Sequence, residues 1–135
     1  MPYRYLLDTN IISELIQHPH GKTYTKIASV GAETVCTSIV VGCELKFGAV
    51  KRGSSKLSDR IEASFLKIPV LALEPEVRDR YAQIRSSLER RGLPIGSNDL
   101  LIAAHAITLD LVLVTANVRE FQRIENLSVE NWLHE

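Results

Sequence analysis

Hydrophobic positions along the chain follow two periods. Short runs of consecutive apolar, β-prone residues occupy 3–7, 34–37, 70–73 and 111–114; the first reads as a buried strand, the next two as brief strands and the last as a parallel strand covered on both faces. Residues 129–133 read as a further strand at the sheet edge. Between these runs the period lengthens to that of a helix. Ile11, Ile12, Leu15 and Ile16 form one stripe, which stops at His18, Pro19 and Gly21. A weaker helix is expected over 23–30. Ser38 is placed to cap a long helix over Ile39–Arg52, which Gly53, Ser54 and Ser55 should end, and an amphipathic segment follows over 57–66. Val77, Tyr81, Ile84 and Leu88 step by four, three and four along a helix over 75–91, closed by Arg90, Arg91, Gly92 and Pro94. Residues 97–109 are apolar nearly all round, so this last long helix should be buried. Strands alternating with helices in this order predict an α/β fold, layered around a small central parallel sheet.

At 135 residues the chain suits one domain, 1–135, which can withdraw roughly two thirds of its unfolded surface from water without staples. Cys36 and Cys43 form no CxxC and lack a second thiol pair, which excludes a disulfide framework and a zinc ribbon or finger; both are expected to be reduced and packed. The apolar runs fall short of the ~20 residues that span a bilayer. An acid at position eight interrupts any signal-peptide core, so a cytoplasmic protein is expected. Sixteen acids balance sixteen bases, and a neutral chain does not coat nucleic acid non-specifically. Any nucleic-acid contact has to be local.

Several polar residues sit where chemistry would need them. In a parallel sheet the functional crevice lies beyond the carboxyl ends of the strands, where Asp8 and Asn117 both fall; each could equally serve a cap or a turn. Glu44 has Val40, Val41, Phe47 and Gly48 as its helical neighbours, with no cation in pairing range. Such a carboxylate must be protonated, hydrogen-bonded or neutralised from outside its helix, unless the helix is rotated to leave it at the rim. Asp99 lies in the first turn of the apolar 97–109 helix, where the dipole favours a negative charge. Three carboxylates brought together would repel one another, and a divalent cation resolves that repulsion. All-oxygen donors without Cys or His select magnesium or manganese over zinc. His105 reads as a core or rim histidine, and the Cys43 thiol, about 100° around the helix from Glu44, as packing. No Gly-rich phosphate loop, GxSxG elbow or HExxH helix is present.

Four segments taken in order, LLDTNIISEL at 6–15, SIVVGCELKFGA at 38–49, IGSNDLLIAAHA at 95–106 and LVTANVREF at 113–121, resemble the PIN-domain ribonucleases, specifically the VapC toxins of prokaryotic toxin–antitoxin pairs. The likeness covers nearly the whole chain, including VENW at 129–132. It implies a PIN-like α/β/α sandwich and an endoribonuclease using Mg2+, with Mn2+ as a possible substitute, to activate water for in-line attack on an RNA phosphate. Carried over by position, Asp8, Glu44 and Asp99 match the family's metal-site acids. Asp8 and Asp99 would be the principal ligands, and Glu44 would bind through water or align the attacking water. Thr9, Asn10 and Thr115 would support the site. The fourth acidic position of many PIN domains corresponds here to Asn117, or its role falls to Glu120, which is a departure from the pattern.

Lys46, Lys51, Arg52, Arg119 and Arg123 are candidates for holding flanking RNA phosphates, Arg119 and Arg123 foremost because they follow Asn117. The resemblance also implies an antitoxin lying across the active-site groove, in a homodimer or toxin–antitoxin hetero-oligomer, with 57–66 and 75–91 as dimer surfaces. A structured RNA such as tRNA is the implied substrate. Two rival readings remain: a PIN-fold nuclease acting on DNA or flaps, and a degenerate PIN domain that binds RNA or protein without cutting.

Overall fold

The computed structural model describes residues 3–134. Its chain order is β1 (Tyr5–Leu7), α1 (Thr9–Gln17), α2 (Lys22–Val30), β2 (Val35–Ser38), α3 (Ile39–Arg52), α4 (Ser55–Lys67), β3 (Val70–Leu71), α5 (Val77–Arg90), α6 (Ser97–Thr108), β4 (Val112–Val114), α7 (Val118–Phe121) and β5 (Val129–Glu130), with a 3-10 turn at Ala32–Thr34 before β2. The five strands form one sheet in the order β3-β2-β1-β4-β5. Every neighbouring pair is parallel, with Leu6 of β1 level with Cys36 on one side and Leu113 on the other. Right-handed crossovers put the β1–β2–β3 connections and the β3–β4–β5 connections on opposite sides of the sheet, and α3 and α6 nevertheless meet, in contact through Glu44 and Asn98 and through Ser38 and His105. The chain steps outward from β1 to β3 and then restarts at β4, so strand order reverses between β1 and β4. A crevice opens at the carboxyl ends of strands at such a reversal.

Leu6, Leu7, Cys36, Leu113 and Val114 are fully buried, which explains why the strands read as uninterrupted apolar runs. Ile11, Ile12 and Ile16 of α1, Val41 and Leu45 of α3, and Ile102, Ala103 and Ala106 of α6 close the core from either face. The chain end joins it through Trp132, which packs edge-on against Tyr5 with ring centroids 5.2 Å apart.

Helix termini follow the local chemistry. Ser38 caps α3 by accepting from the Val40 N–H at 3.1 Å. Gly53 closes it in the left-handed region at φ 64°. Ser54 and Ser55, expected only to end α3, instead begin α4, with the Ser54 hydroxyl accepting from the Leu57 N–H at 3.1 Å. Pro75 and Glu76 form a turn before α5, so that helix begins at Val77, where its apolar stripe begins, two residues later than the expected start at 75. The four residues of α7 carry too little periodicity to be seen in the sequence. Among the described residues no helix is long and apolar enough to cross a membrane.

Candidate active site

Asp8 emerges directly from β1, the central strand. Its backbone N–H continues the ladder to the Val114 carbonyl at 2.9 Å, and its side chain caps α1 by accepting from the Thr9 N–H at 2.8 Å. The second carboxylate oxygen accepts from Thr115 Oγ1 at 2.8 Å. Thr115 leaves β4 one residue beyond its end and is fully buried. Its hydroxyl also accepts from the Asn117 N–H at 3.0 Å, so it ties the β4 exit to the β1 exit. Asn10 adds a second tie by accepting from the Ala116 N–H at 2.9 Å. DTN at 8–10 and LVTAN at 113–117 are thus one interlocked corner.

Glu44 reaches this corner from α3. Thr9 Oγ1 donates to Glu44 Oε1 at 2.6 Å, and Asn98 Nδ2, at the start of α6, lies 3.5 Å from the other carboxylate oxygen. The half-buried Glu44 is therefore satisfied by hydrogen bonds, one of the solutions its apolar surroundings demanded. Asp99 comes from the first turn of α6, whose amino end is uncapped by any side chain at Gly96. It faces Glu120 of α7 within hydrogen-bonding reach.

Burial and repulsion act together on these acids. Desolvation, the facing Glu120 carboxylate, and the charges of Asp8 and Glu44 push Asp99 up to about 7. Asp8 is also raised, chiefly by burial; the Thr115 and Thr9 hydrogen bonds pull it back in part, while Glu44 and Glu120 add to the rise. The cluster as it stands carries more negative charge than its surroundings stabilise. Among the described residues, however, no three acidic, His or Cys side chains converge closely enough to cage an ion by themselves. Magnesium does not need such a cage: it keeps several waters and takes one or two carboxylates at a time. All-oxygen donors with an uncompensated charge suit that ion, and Asp8 and Asp99 are the residues that would hold it.

The acids open onto a cavity of about 680 Å³, lined by Asp8, Thr9, Asn10, Glu44, Asp99 and Asn117, and extended along α1 by Ser13, Glu14, Gln17 and His18. Sequence reasoning missed this extension, although Asn10, Ser13, Glu14 and Gln17 form a polar stripe opposite Ile11, Ile12 and Ile16. Glu14 has a structural duty in it, accepting from the Thr23 N–H at 3.0 Å near the start of α2.

Three expected residues behave differently from expectation. Lys46 is occupied by Glu62 at 3.1 Å and Ser58 at 2.9 Å, a link between α3 and α4. Arg123 donates to the Pro94 carbonyl at 3.2 Å and its own carbonyl accepts from Arg91 at 2.7 Å, so it braces loops. Cys43, expected to pack, is exposed, whereas Cys36 is buried and its thiol is pushed up to about 12 by desolvation. Of Lys46, Arg119 and Arg123, Arg119 alone is exposed and makes no hydrogen bond or ion pair among the described residues.

The family profile described as PIN domain matches residues 5–127. The chain belongs to the PIN-domain family. Within the PIN domains its relatives are VapC ribonucleases. It is 35% identical over 130 residues to Ribonuclease VapC2 of Rickettsia felis, covering 95% of this chain and 97% of that protein. It is 34% identical over 133 residues to the tRNA(fMet)-specific endonuclease VapC of Shigella flexneri, covering 96% and 98%. Its fold is that of the VapC chain in the DNA-bound VapBC crystal structure from Salmonella typhimurium, with a TM-score of 0.87 at 31% identity and coverage of 96% and 98%. The promoter-bound VapBC2 structure from Rickettsia felis gives 0.84 at 35% identity, covering 95% and 98%.

Proposed function

We propose that this PIN domain is a Mg2+-dependent endoribonuclease, the toxin of a toxin–antitoxin pair, acting on a structured RNA in the cytoplasm and neutralised by a VapB-like antitoxin. The observation that carries the metal is the Asp8–Glu44–Asp99–Glu120 cluster, in which burial, together with the neighbouring carboxylates, raises Asp99 to about 7. A divalent cation held by Asp8 and Asp99 would offset that charge and supply an activated water for attack on the phosphodiester.

The chain's own groups do the rest. Thr115 and the Thr9 N–H hold both oxygens of Asp8, so its carboxylate cannot rotate away from the crevice. Glu44, fixed through Thr9, presents its remaining lone pairs to the cavity and orders water beside the scissile phosphate. Asn117 lines the mouth, and Arg119, exposed and uncommitted, holds a flanking phosphate. The relatives named for tRNA(fMet) make an initiator tRNA the first substrate to try, and the VapBC complexes make an antitoxin the first partner.

Purified protein free of antitoxin should cut total RNA at discrete sites with Mg2+, and EDTA, Asp8→Asn or Asp99→Asn should each abolish the cuts. Equal cutting by the variants would remove the acids from the chemistry, and cutting of matched DNA instead of RNA would move the protein to the other nuclease class.

A further inference from the structure

His105 is a deeply buried titratable side chain outside the acidic cluster, 1% exposed in the middle of α6. Its Nδ1 lies 2.9 Å from the hydroxyl of Ser38, itself fully buried. Its Nε2 is the one buried side-chain polar atom without a hydrogen-bond partner among the described residues. The Ala72 backbone favours a proton on the ring, but burial outweighs it and holds the histidine below its ordinary value, so the neutral imidazole is favoured.

The tautomer follows from counting donors. Ser38 Oγ already accepts from the Val40 N–H as the cap of α3. Its own proton needs an acceptor, and Nδ1 is the partner within reach. The ring therefore accepts at Nδ1 and carries its proton on Nε2, the nitrogen left without a partner. A buried donor without a partner is costly, and an Ile or Leu would fill this apolar position without that cost. The placement of the pair supplies the compensating use.

Ser38 opens α3, and six residues on is Glu44; His105 lies on α6, and seven residues back is Asn98, next to Asp99. The Ser38–His105 and Glu44–Asn98 contacts thus run in opposite chain directions, so α3 and α6 pass antiparallel with a tie at each end. The tie at the site is exposed and stretched to 3.5 Å. The other is buried and short. Only the second can fix how far along α3 the acid-bearing end of α6 sits.

We propose that His105 is a positioning residue: by accepting the Ser38 hydroxyl proton it locks the register of α6 on α3, and with it the spacing of Asp99 and Glu44. This rests on the ribonuclease reading only for its activity arm. Displacing such groups by an ångström is enough to cost two orders of magnitude in rate, and losing a group that orients metal ligands costs about 10- to 100-fold in affinity or activity.

The test compares Ser38→Ala, His105→Leu, their double variant and His105→Asn, each checked for a native far-UV spectrum and a cooperative melt. Mn2+ affinity is read by calorimetry, and kcat and KM on RNA in parallel. Both single variants should lose about 10- to 100-fold in Mn2+ affinity or kcat while KM for RNA stays unchanged. The double variant should be no worse than Ser38→Ala, because the shared bond is removed only once. His105→Asn, whose amide oxygen can stand in for Nδ1, should recover most of the loss. If His105→Leu does not fold, Ser38→Ala and His105→Asn carry the same comparison. Wild-type Mn2+ affinity and kcat in Ser38→Ala, or fully additive losses in the double variant, would overturn the proposal. A wild type that binds Mn2+ but cuts no RNA would overturn the ribonuclease reading and leave the Mn2+ comparison to decide His105. A wild type that binds no Mn2+ would overturn both.

Discussion

Thr115 donates to Asp8 at 2.8 Å from a position with no exposure of its own, and the same oxygen receives the Asn117 N–H at 3.0 Å. One hydroxyl joins the exits of the two strands between which the sheet reverses order. Thr115→Val keeps the shape but leaves the Asp8 oxygen and the Asn117 N–H without their partner. Unfolding in urea should show a loss of about 1–3 kcal/mol, and RNA cleavage should fall with it. Thr115→Ser should retain both. A Val variant as stable and active as wild type would mean that water replaces the hydroxyl.

The raised Asp99 gives the metal-free protein an inverted acid response. In EDTA, between the usual 3.8 and about 7, the native chain holds a proton that the unfolded chain has lost. Stability therefore falls as pH rises through that window and is lowest above it. His105 acts the other way, because its lowered value makes the unfolded chain take up a proton below 6.5. The difference in Tm between wild type and Asp99→Asn, measured from pH 5 to pH 8, isolates the Asp99 share and should swing in the variant's favour as pH rises. Mg2+ should raise the wild-type Tm more at pH 8 than at pH 5, since the ligands must be deprotonated to bind. A pH-independent difference would refute the raised Asp99 on which the metal assignment rests.

Cys43 shows where apolar patterning misleads. Ile39, Cys43, Phe47 and Val50 lie on one stripe of α3, yet Phe47 is 65% and Val50 75% exposed. The opposite stripe, with Val41, Leu45 and Ala49, is the one that packs. Both faces of this helix are apolar, so periodicity cannot say which is inside. The central strands β1, β2 and β4 posed no such choice, being buried along nearly their whole length, and their positions were legible to within two residues. Glu44 stood out for the converse reason, as a charge whose helical neighbours offered it no cation, and Asp8 by its place beyond the carboxyl end of a strand. A thiol reagent such as Ellman's should accordingly titrate one cysteine quickly in the native chain, with the second appearing only in denaturant. Two fast thiols, or none, would contradict the burial of Cys36 or the exposure of Cys43.

Among the cations, position along the chain was a poor guide to availability. Lys46 and Arg123 are held by Glu62, Ser58 and the Pro94 carbonyl, leaving Arg119 exposed beside Glu120. Arg119→Ala should weaken RNA binding and reduce the slope of log affinity against log salt by ~1. Lys46→Ala should leave that slope alone and cost no more than ~1 kcal/mol, the ordinary worth of a surface pair. Equal slopes for Arg119→Ala and wild type would return Arg119 to the solvated surface.

Glu120 and Asn117 compete for one role, the fourth acidic position, and the fold separates them. The Asn117 side chain makes no hydrogen bond among the described residues and lines the cavity mouth, while its backbone serves Thr115. Glu120, one turn along α7, faces Asp99 and is the largest charged contributor to its upward shift. Removing that charge relieves Asp99 but also takes away part of the field that attracts a cation. Glu120→Gln should therefore raise the Mg2+ concentration needed for half-maximal cleavage and shift the acid limb of the cleavage profile to lower pH, because Asp99 then ionises more readily. Asn117→Ala should do neither, and act mainly on KM for RNA through the cavity mouth. If Asn117→Ala moves the Mg2+ requirement while Glu120→Gln does not, the amide holds the fourth position and Glu120 is a bystander to Asp99.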